Sequence, residues 1–214
     1  MQIVIVLYDR FTALDAVGPY QVFSSLRGAQ VVFAAEQAGR VSDDERSLHL
    51  SAEVALADVP RPDILVVPGG PGQHDQMDDG PLHDWLRAAD QGTNWTTSVC
   101  TGSLILAGAG LLTGRRATSH WLALGELGQH GAVPVSKRVV FDGKYVTAAG
   151  VSAGIDMGLT LAGRIAGDEA AQAIQLGIEY DPQPPYDAGS PDRAPAGIVA
   201  AMRARSRFVL TGRS

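Results

Sequence analysis

Cysteine is nearly absent from the 214-residue sequence: Cys100 is the only one, so no internal disulfide bond can form. Long apolar runs are absent as well, since none approaches the roughly 18–20 residues that cross a bilayer. The apolar start at residues 1–8 has no basic stretch before it and is too short for a secretory signal. These absences predict a cytoplasmic protein with no membrane partner.

Basic residues are also few. The chain has 17 basic and 23 acidic residues, a formal net charge of −6 and a pI near 5.3, which argues against nucleic acid as the main partner. Histidine, cysteine and aspartate do not occur at the spacing of zinc ligands. We therefore predict no nucleic-acid partner and no metal ion.

What the sequence does contain is an alternation of β-branched apolar runs with helical patterns, which is typical of a doubly wound, mostly parallel α/β sheet flanked by helices. We predict a single domain over residues 1–214, with a core of about 1–180 and a C-terminal loop and helix over 181–214. Strands are predicted at 3–7, 30–35, 63–67 and 96–99, with a hairpin within 40–51 and two short strands within 133–147 joined at Asp142-Gly143. One helix is predicted to begin near Pro19, and another is predicted to end at about residue 127. Further helices are predicted at 81–89, 104–112, 155–165, 169–178 and 196–207.

Cys100 lies where the short strand at 96–99 gives way to an apolar run rich in small residues. A side chain on such a strand-to-helix turn is exposed at the sheet edge, beside the free N–H groups of the helix. We therefore predict a nucleophile whose pKa is lowered from roughly 8.5 by one to several units. The alternative is that Cys100 is a small buried core residue.

Two further features are predicted at the same sheet edge. Asp15 follows the first strand, where it is either a carboxylate facing Cys100 or a helix cap. The strand at 63–67 leads into Pro-Gly-Gly-Pro-Gly at 68–72, whose amides can serve as an oxyanion hole. Pro71 has no N–H, so Gly70 or Gly72 is the predicted donor. A phosphate-binding loop is the rival interpretation, but the Lys-Ser/Thr ending of that motif is missing.

Three motifs, taken in order and spacing, resemble the PfpI-type, class I glutamine amidotransferase-like superfamily: PGGPG at 68–72, SVCTGSLILAGAGLLTGRRATSHW at 98–121 and AAGVSAGID at 148–156. The resemblance implies a flavodoxin-like sheet. Within the superfamily, LDAVGP at 14–19 and IEYDPQPPYDAGSP at 178–191 are similar to the isonitrile hydratases. Sensor domains of some AraC-type regulators share the CTG, RRAT and HW elements but continue into a helix-turn-helix region, for which this chain has only one helix's worth of residues.

The resemblance implies a role for each matching residue. Cys100 matches the nucleophile, and Asp15 matches an acidic residue that handles protons beside it. Thr101 stands where protease-like members carry histidine, so protease or amidase activity is not expected. The resemblance also implies a homodimer, with the segment near Asp187 at the interface. The remaining predicted site residues are oxyanion or substrate contacts, with the amides of Gly70 and Thr101 as donors and Gly72, Gly150, Val151 and His120 nearby; His120 is otherwise a neutral structural residue.

The implied activity is hydration of an isonitrile to an N-substituted formamide, through a thioimidate on Cys100 and without a cofactor. A second hypothesis is a non-enzymatic sensor in which Cys100 binds a ligand or is oxidised. A third is a glyoxalase-like or deglycase-like activity on small aldehydes. That activity usually employs a glutamate in the first helix region, so Asp15 argues against it.

Overall fold

A computed structural model describes residues 1–207. The last seven residues of the predicted C-terminal segment, 208–214, lie outside the described part. The strands are β1 (Gln2–Val6), β2 (Gln30–Ala35), β3 (Gly39–Ser42), β4 (His49–Ala52), β5 (Val54–Ala55), β6 (Ile64–Val67), β7 (Trp95–Val99), β8 (Arg116–Ala117), β9 (Val133–Pro134), β10 (Val139–Asp142) and β11 (Tyr145–Ala148). The helices are α1 (Ala13–Phe23), α2 (Pro81–Asp90), α3 (Gly102–Gly108), α4 (Glu126–Gln129), α5 (Ala153–Ala166), α6 (Asp168–Gly177) and α7 (Ala196–Arg205), with 3₁₀ turns at Leu56–Asp58 and Pro71–Gln76.

The central sheet has seven strands in the order β10-β11-β7-β6-β1-β2-β5. Only β10 runs antiparallel to its neighbour, and the other pairings are parallel. The chain goes from β1 outward to β2 and later returns to the other side of β1 with β6, which creates a topological switch point. The predicted flavodoxin-like, mostly parallel α/β fold is confirmed.

The middle strands read as continuous apolar runs because helices cover both of their faces. Residues 3–6 of β1 and all four residues of β6 are fully buried. Strand β7 differs, since its Thr96, Thr97 and Ser98 are polar and equally buried. The Thr97 hydroxyl donates to the carbonyl of Leu65 at 2.9 Å, so this polar group is satisfied within the sheet.

Two predicted helix boundaries are wrong. Helix α1 begins at Ala13, so Pro19 lies inside it and not at its first position. The helix continues past the proline because its ring packs on α5, where a Cβ on Gly154 would approach Pro19 Cδ to 3.1 Å. Helix α3 ends at Gly108 and not at residue 112. Gly110 adopts a φ of +82°, a left-handed conformation that ends helices.

Most of the other elements follow the predictions more closely. The hairpin within 40–51 forms as the β3–β4 pair, and the β10–β11 pair turns at Gly143. Helices α2, α5 and α6 lie within two residues of their predicted ends. The helix predicted to run up to 127 is only the single turn α4.

Candidate active site

Four chain segments meet at the carboxyl edge of the sheet, because the parallel strands β1, β6, β7 and β11 all end there. Asp15 follows β1 on α1, and Gly69 follows β6. Cys100 comes directly after β7, and Val151 follows β11. The structure thus brings Asp15 and Cys100 together.

Cys100 occupies a strained turn, with a φ of +57° in the left-handed region that residues other than glycine rarely adopt. Its N–H donates to the carbonyls of Ala148 and Ala149, both at 3.1 Å. Its carbonyl accepts hydrogen bonds from the hydroxyls of Ser103 at 3.1 Å and Ser119 at 3.0 Å. Such over-determined strain is typical of a nucleophile elbow.

The Cys100 side chain is buried, with 6% of the residue exposed. The backbone N–H groups of Thr101 and Val151 donate to the sulfur and favour the thiolate. Burial, together with the neighbouring Asp15 carboxylate, outweighs them and raises the pKa of the Cys100 thiol well above its ordinary value. The prediction of a lowered thiol pKa is therefore wrong, because it considered the helix end and not desolvation.

Asp15 is the third residue of α1 and is fully buried. Its Oδ2 accepts a hydrogen bond from the N–H of Gly69 at 2.9 Å. Its Oδ1 is buried with no N–H or O–H donor among residues 1–207. Burial raises the pKa of Asp15 to about 7, with a small further contribution from Asp44, while Gly69 and Cys100 act against it. The alternative of a helix cap is wrong, since Thr12 holds the N-cap position.

The glycine-rich loop after β6 does not present the predicted oxyanion donors. The N–H of Gly70 donates to the Thr101 hydroxyl at 3.0 Å. The N–H of Gly72 donates to the carbonyl of Arg10 at 3.1 Å. Both amides are therefore engaged, and the donors that reach the sulfur are those of Thr101 and Val151. The glycines are needed for close approach, since a Cβ on Gly72 would lie 1.9 Å from the carbonyl oxygen of Asp9.

His120 lies over Gly150, where a Cβ would come within 2.5 Å of the imidazole Cδ2. The N–H of Leu122 donates to His120 Nδ1 at 3.3 Å, and burial lowers the pKa of the imidazole. His120 is thus a neutral histidine. Together with Gly150, Val151 and residues 189–192, it lines a cavity of about 430 Å³ beside the elbow.

The DJ-1/PfpI family model matches residues 1–164 of this sequence, which is more than half of the chain. The chain belongs to the DJ-1/PfpI family.

Individual relatives agree with this assignment. An isonitrile hydratase of Pseudomonas putida is 42% identical over 206 residues, which is 96% of this chain and 90% of the relative. The crystal structure of a THiJ/PfpI family protein from Pseudomonas syringae has a TM-score of 0.92 at 37% identity, covering 95% of this chain and 84% of that one. The HTH-type transcriptional regulator GbdR of Pseudomonas aeruginosa is 30% identical over 182 residues, which is 82% of this chain and 49% of the regulator. The family resemblance inferred from the motifs is confirmed.

Two residues of this DJ-1/PfpI site were not predicted. The Tyr8 hydroxyl donates to the carbonyl of Pro68 at 2.8 Å, and burial together with the charges of Asp15 and Cys100 raises the pKa of Tyr8 well above its ordinary value. Tyr8 directly follows the first predicted strand, at 3–7, and this position was the signal that could have identified it. Arg207 reaches the glycine-rich loop from the C-terminal end of the described chain, and no pattern in the sequence indicates that contact.

Within residues 1–207 of this family member, no group of three or more histidine, cysteine, aspartate or glutamate side chains is arranged to hold a metal ion. In the same range, no helix has the length and apolar character needed to cross a membrane.

Proposed function

We propose that this protein hydrates isonitriles to N-substituted formamides. The observation that carries the proposal is the buried pair of Cys100 and Asp15, held on one side by the Gly69 amide and on the other by the Thr101 and Val151 amides. The similarity of this chain to an isonitrile hydratase, over nearly its whole length, supports the same reaction.

The first step needs a base for a thiol whose pKa is raised. Because Asp15 has the lower pKa of the pair, above about pH 7 its carboxylate stands beside a protonated Cys100 thiol. The carboxylate accepts the thiol proton as sulfur attacks the isonitrile carbon, which forms the C–S bond. The protonated Asp15 then gives that proton to the same carbon. The product is a thioimidate, R–N=CH–S, on Cys100, and Asp15 is again ionised.

The second step adds water to the thioimidate. Asp15 takes a proton from a water molecule as the water oxygen attacks the carbon, and it passes that proton to the imine nitrogen. The tetrahedral adduct then breaks its C–S bond, and the hydroxyl proton returns through Asp15 to the departing sulfur. The released product is R–NH–CHO, and the thiol–carboxylate pair is restored. The net reaction is the addition of one water molecule to the isonitrile.

The Thr101 and Val151 amides have a defined part in this sequence. They donate to the sulfur, so they stabilise the negative charge that sulfur carries as it attacks and as it leaves. Well-placed backbone donors of this kind contribute roughly 3 kcal/mol each to the stabilisation of a transition state. The Thr101 hydroxyl has a separate part, because it accepts from Gly70 and fixes the glycine-rich loop against the elbow.

A non-enzymatic sensor is the second candidate. It is favoured by the regulator GbdR, which is 30% identical to this chain over an alignment that covers 82% of the chain. A redox sensor requires a thiolate, since the thiol itself is oxidised slowly. The raised pKa of the Cys100 thiol argues against oxidation and leaves ligand binding as the form that a sensor would take.

The test is formamide production from p-nitrophenyl isocyanide by the wild type, by Cys100→Ala and by the matched surface variant Ser47→Ala. We expect turnover by the wild type and Ser47→Ala, and a loss of at least about a thousandfold in Cys100→Ala. Equal turnover by Cys100→Ala would contradict the mechanism. An inactive wild type with a reduced Cys100 would contradict the activity and favour the sensor.

A further inference from the structure

Arg207 joins the C-terminal end of the described chain to the glycine-rich loop. After α7 ends at Arg205, Ser206 is buried and Arg207 contacts the loop that follows β6. One guanidinium N–H donates to the carbonyl of Pro71 at 2.7 Å, and another donates to Gln73 Oε1 at 2.8 Å. The fork of the guanidinium thus holds a backbone group and a side chain of the same loop.

The loop that Arg207 holds is the one that organises the site. Its Gly69 amide orients the Asp15 carboxyl, and its Gly70 amide binds the Thr101 hydroxyl. Gln73 is itself buried, with 3% of the residue exposed. A contact at residues 71–73 therefore constrains the positions of the amides at 69 and 70, because only a few covalently linked and packed residues separate them.

The charge of Arg207 also reaches the reacting groups. It interacts favourably with the ionised forms of Tyr8 and Cys100 and with the Asp75 carboxylate, and it is repelled by the Arg10 guanidinium. Of these, Arg10 forms an ion pair with Asp75 at 2.6 Å. A cation that interacts with the sulfur favours the thiolate over the thiol.

We propose that Arg207 is a positioning residue of the Cys100 site, which fixes the loop at 69–73 and brings a positive charge to the sulfur as it ionises. The proposal deepens the proposed hydration and rests on it only where turnover is concerned. The reactivity of the thiol can be measured without any isonitrile.

The experiment compares alkylation of Cys100 by iodoacetamide across a range of pH in the wild type, Arg207→Met, Arg207→Lys and the control Arg205→Met. Cys100 is the only cysteine, so alkylation reports this one thiol. In Arg207→Met we expect the rate of alkylation at about pH 8 to fall about tenfold, because a smaller fraction of the thiol is ionised. Arg207→Lys, which keeps the charge but not the fork, should stay near the wild type. Arg205→Met changes an exposed arginine at the end of α7 and should leave the profile unchanged.

Turnover of p-nitrophenyl isocyanide supplies the second measurement. Loss of the fork should lower kcat about tenfold in both Arg207 variants, with KM nearly constant, because the loop positions groups that act in the transition state. If Arg207→Met does not fold by circular dichroism, Arg207→Gln replaces it. Superimposable alkylation profiles for the wild type and the neutral variant overturn the proposal. An inactive wild type removes the proposed function but leaves the alkylation test intact.

Discussion

At the scale of single residues, the proton balance between Asp15 and Cys100 decides when the proposed hydration can proceed. Below about pH 7 the Asp15 carboxyl is protonated and cannot accept the thiol proton. We expect kcat/KM for isonitrile hydration to rise with pH and to level off above an apparent pKa of about 7, which belongs to the pair as a unit. A pH–rate profile measures this, and a rate independent of pH between about pH 5 and about pH 8 would contradict it.

The same carboxyl makes a prediction about stability. Its pKa is about 7 in the folded protein, against an ordinary value of 3.8 for an exposed aspartate. The folded state therefore holds the proton more tightly than the unfolded chain and loses stability as pH rises between these values. Asp15→Asn keeps an oxygen for the Gly69 amide without the buried charge. We expect it to increase the free energy of unfolding by up to about 4 kcal/mol near pH 8 and by little near pH 4.

Urea unfolding at the two pH values measures this difference. The matched control is Asp78→Asn, which removes an exposed carboxylate and should change the stability little at either pH. An equal or lower stability of Asp15→Asn near pH 8 would show that the buried carboxylate carries no such cost. Its expected loss of hydration, with a more stable fold, would be a trade of stability for activity.

Some site residues could be predicted from the sequence and others could not. Cys100 and Asp15 each follow a recognisable strand, and the carboxyl ends of parallel strands meet. The direction of the thiol pKa could not be predicted, because burial depends on segments distant in the chain. The engagement of the Gly70 amide, by the Thr101 hydroxyl 31 residues away, is equally a product of tertiary structure.

At the scale of elements, the packing of α1 on α5 places Asp15. Glycines bring the two helices close: a Cβ on Gly158 would lie 3.0 Å from Val22 Cβ, and one on Gly18 would lie 3.2 Å from Ile155 Cγ1. The same packing explains why α1 continues through Pro19, against the sequence prediction. Apolar periodicity located most elements, whereas the ends of α1 and α3 depend on such contacts.

Gly158→Ala tests this contact. The added methyl group would be overpacked against Val22, which should destabilise the protein by about 1–3 kcal/mol and lower activity by displacing α1. Gly177→Ala is the control, because it lies at the end of α6 with nothing within 4 Å of its Cβ. It should be neutral or stabilising. Thermal unfolding and turnover of both variants decide the matter, and equal stability would mean that the helices separate at no cost.

At the scale of the whole molecule, the strand order follows from the alternation of strands and helices, because crossovers between parallel strands are right-handed and short. The doubly wound sheet was predictable for that reason. The path of the C-terminal segment was not, since residues 181–195 contain no regular element and nothing in their pattern fixes where they pack. Their position beside the cavity at 189–192 is visible only in the folded chain.

The surface of this segment bears on assembly. We propose a homodimer, as the resemblance near Asp187 implies, because Tyr186 is 79% exposed and α7 has no buried residue in a single chain. Light scattering should give twice the 22.4 kDa of one chain. Tyr186→Glu places a charge on this surface and should shift the protein to the monomer, since an unpaired buried charge costs several kcal/mol. Leu48→Glu, at a comparably apolar exposed site on the β3–β4 hairpin, should remain a dimer. A monomeric wild type would refute the dimer, and a dimer that survives Tyr186→Glu would place the interface elsewhere.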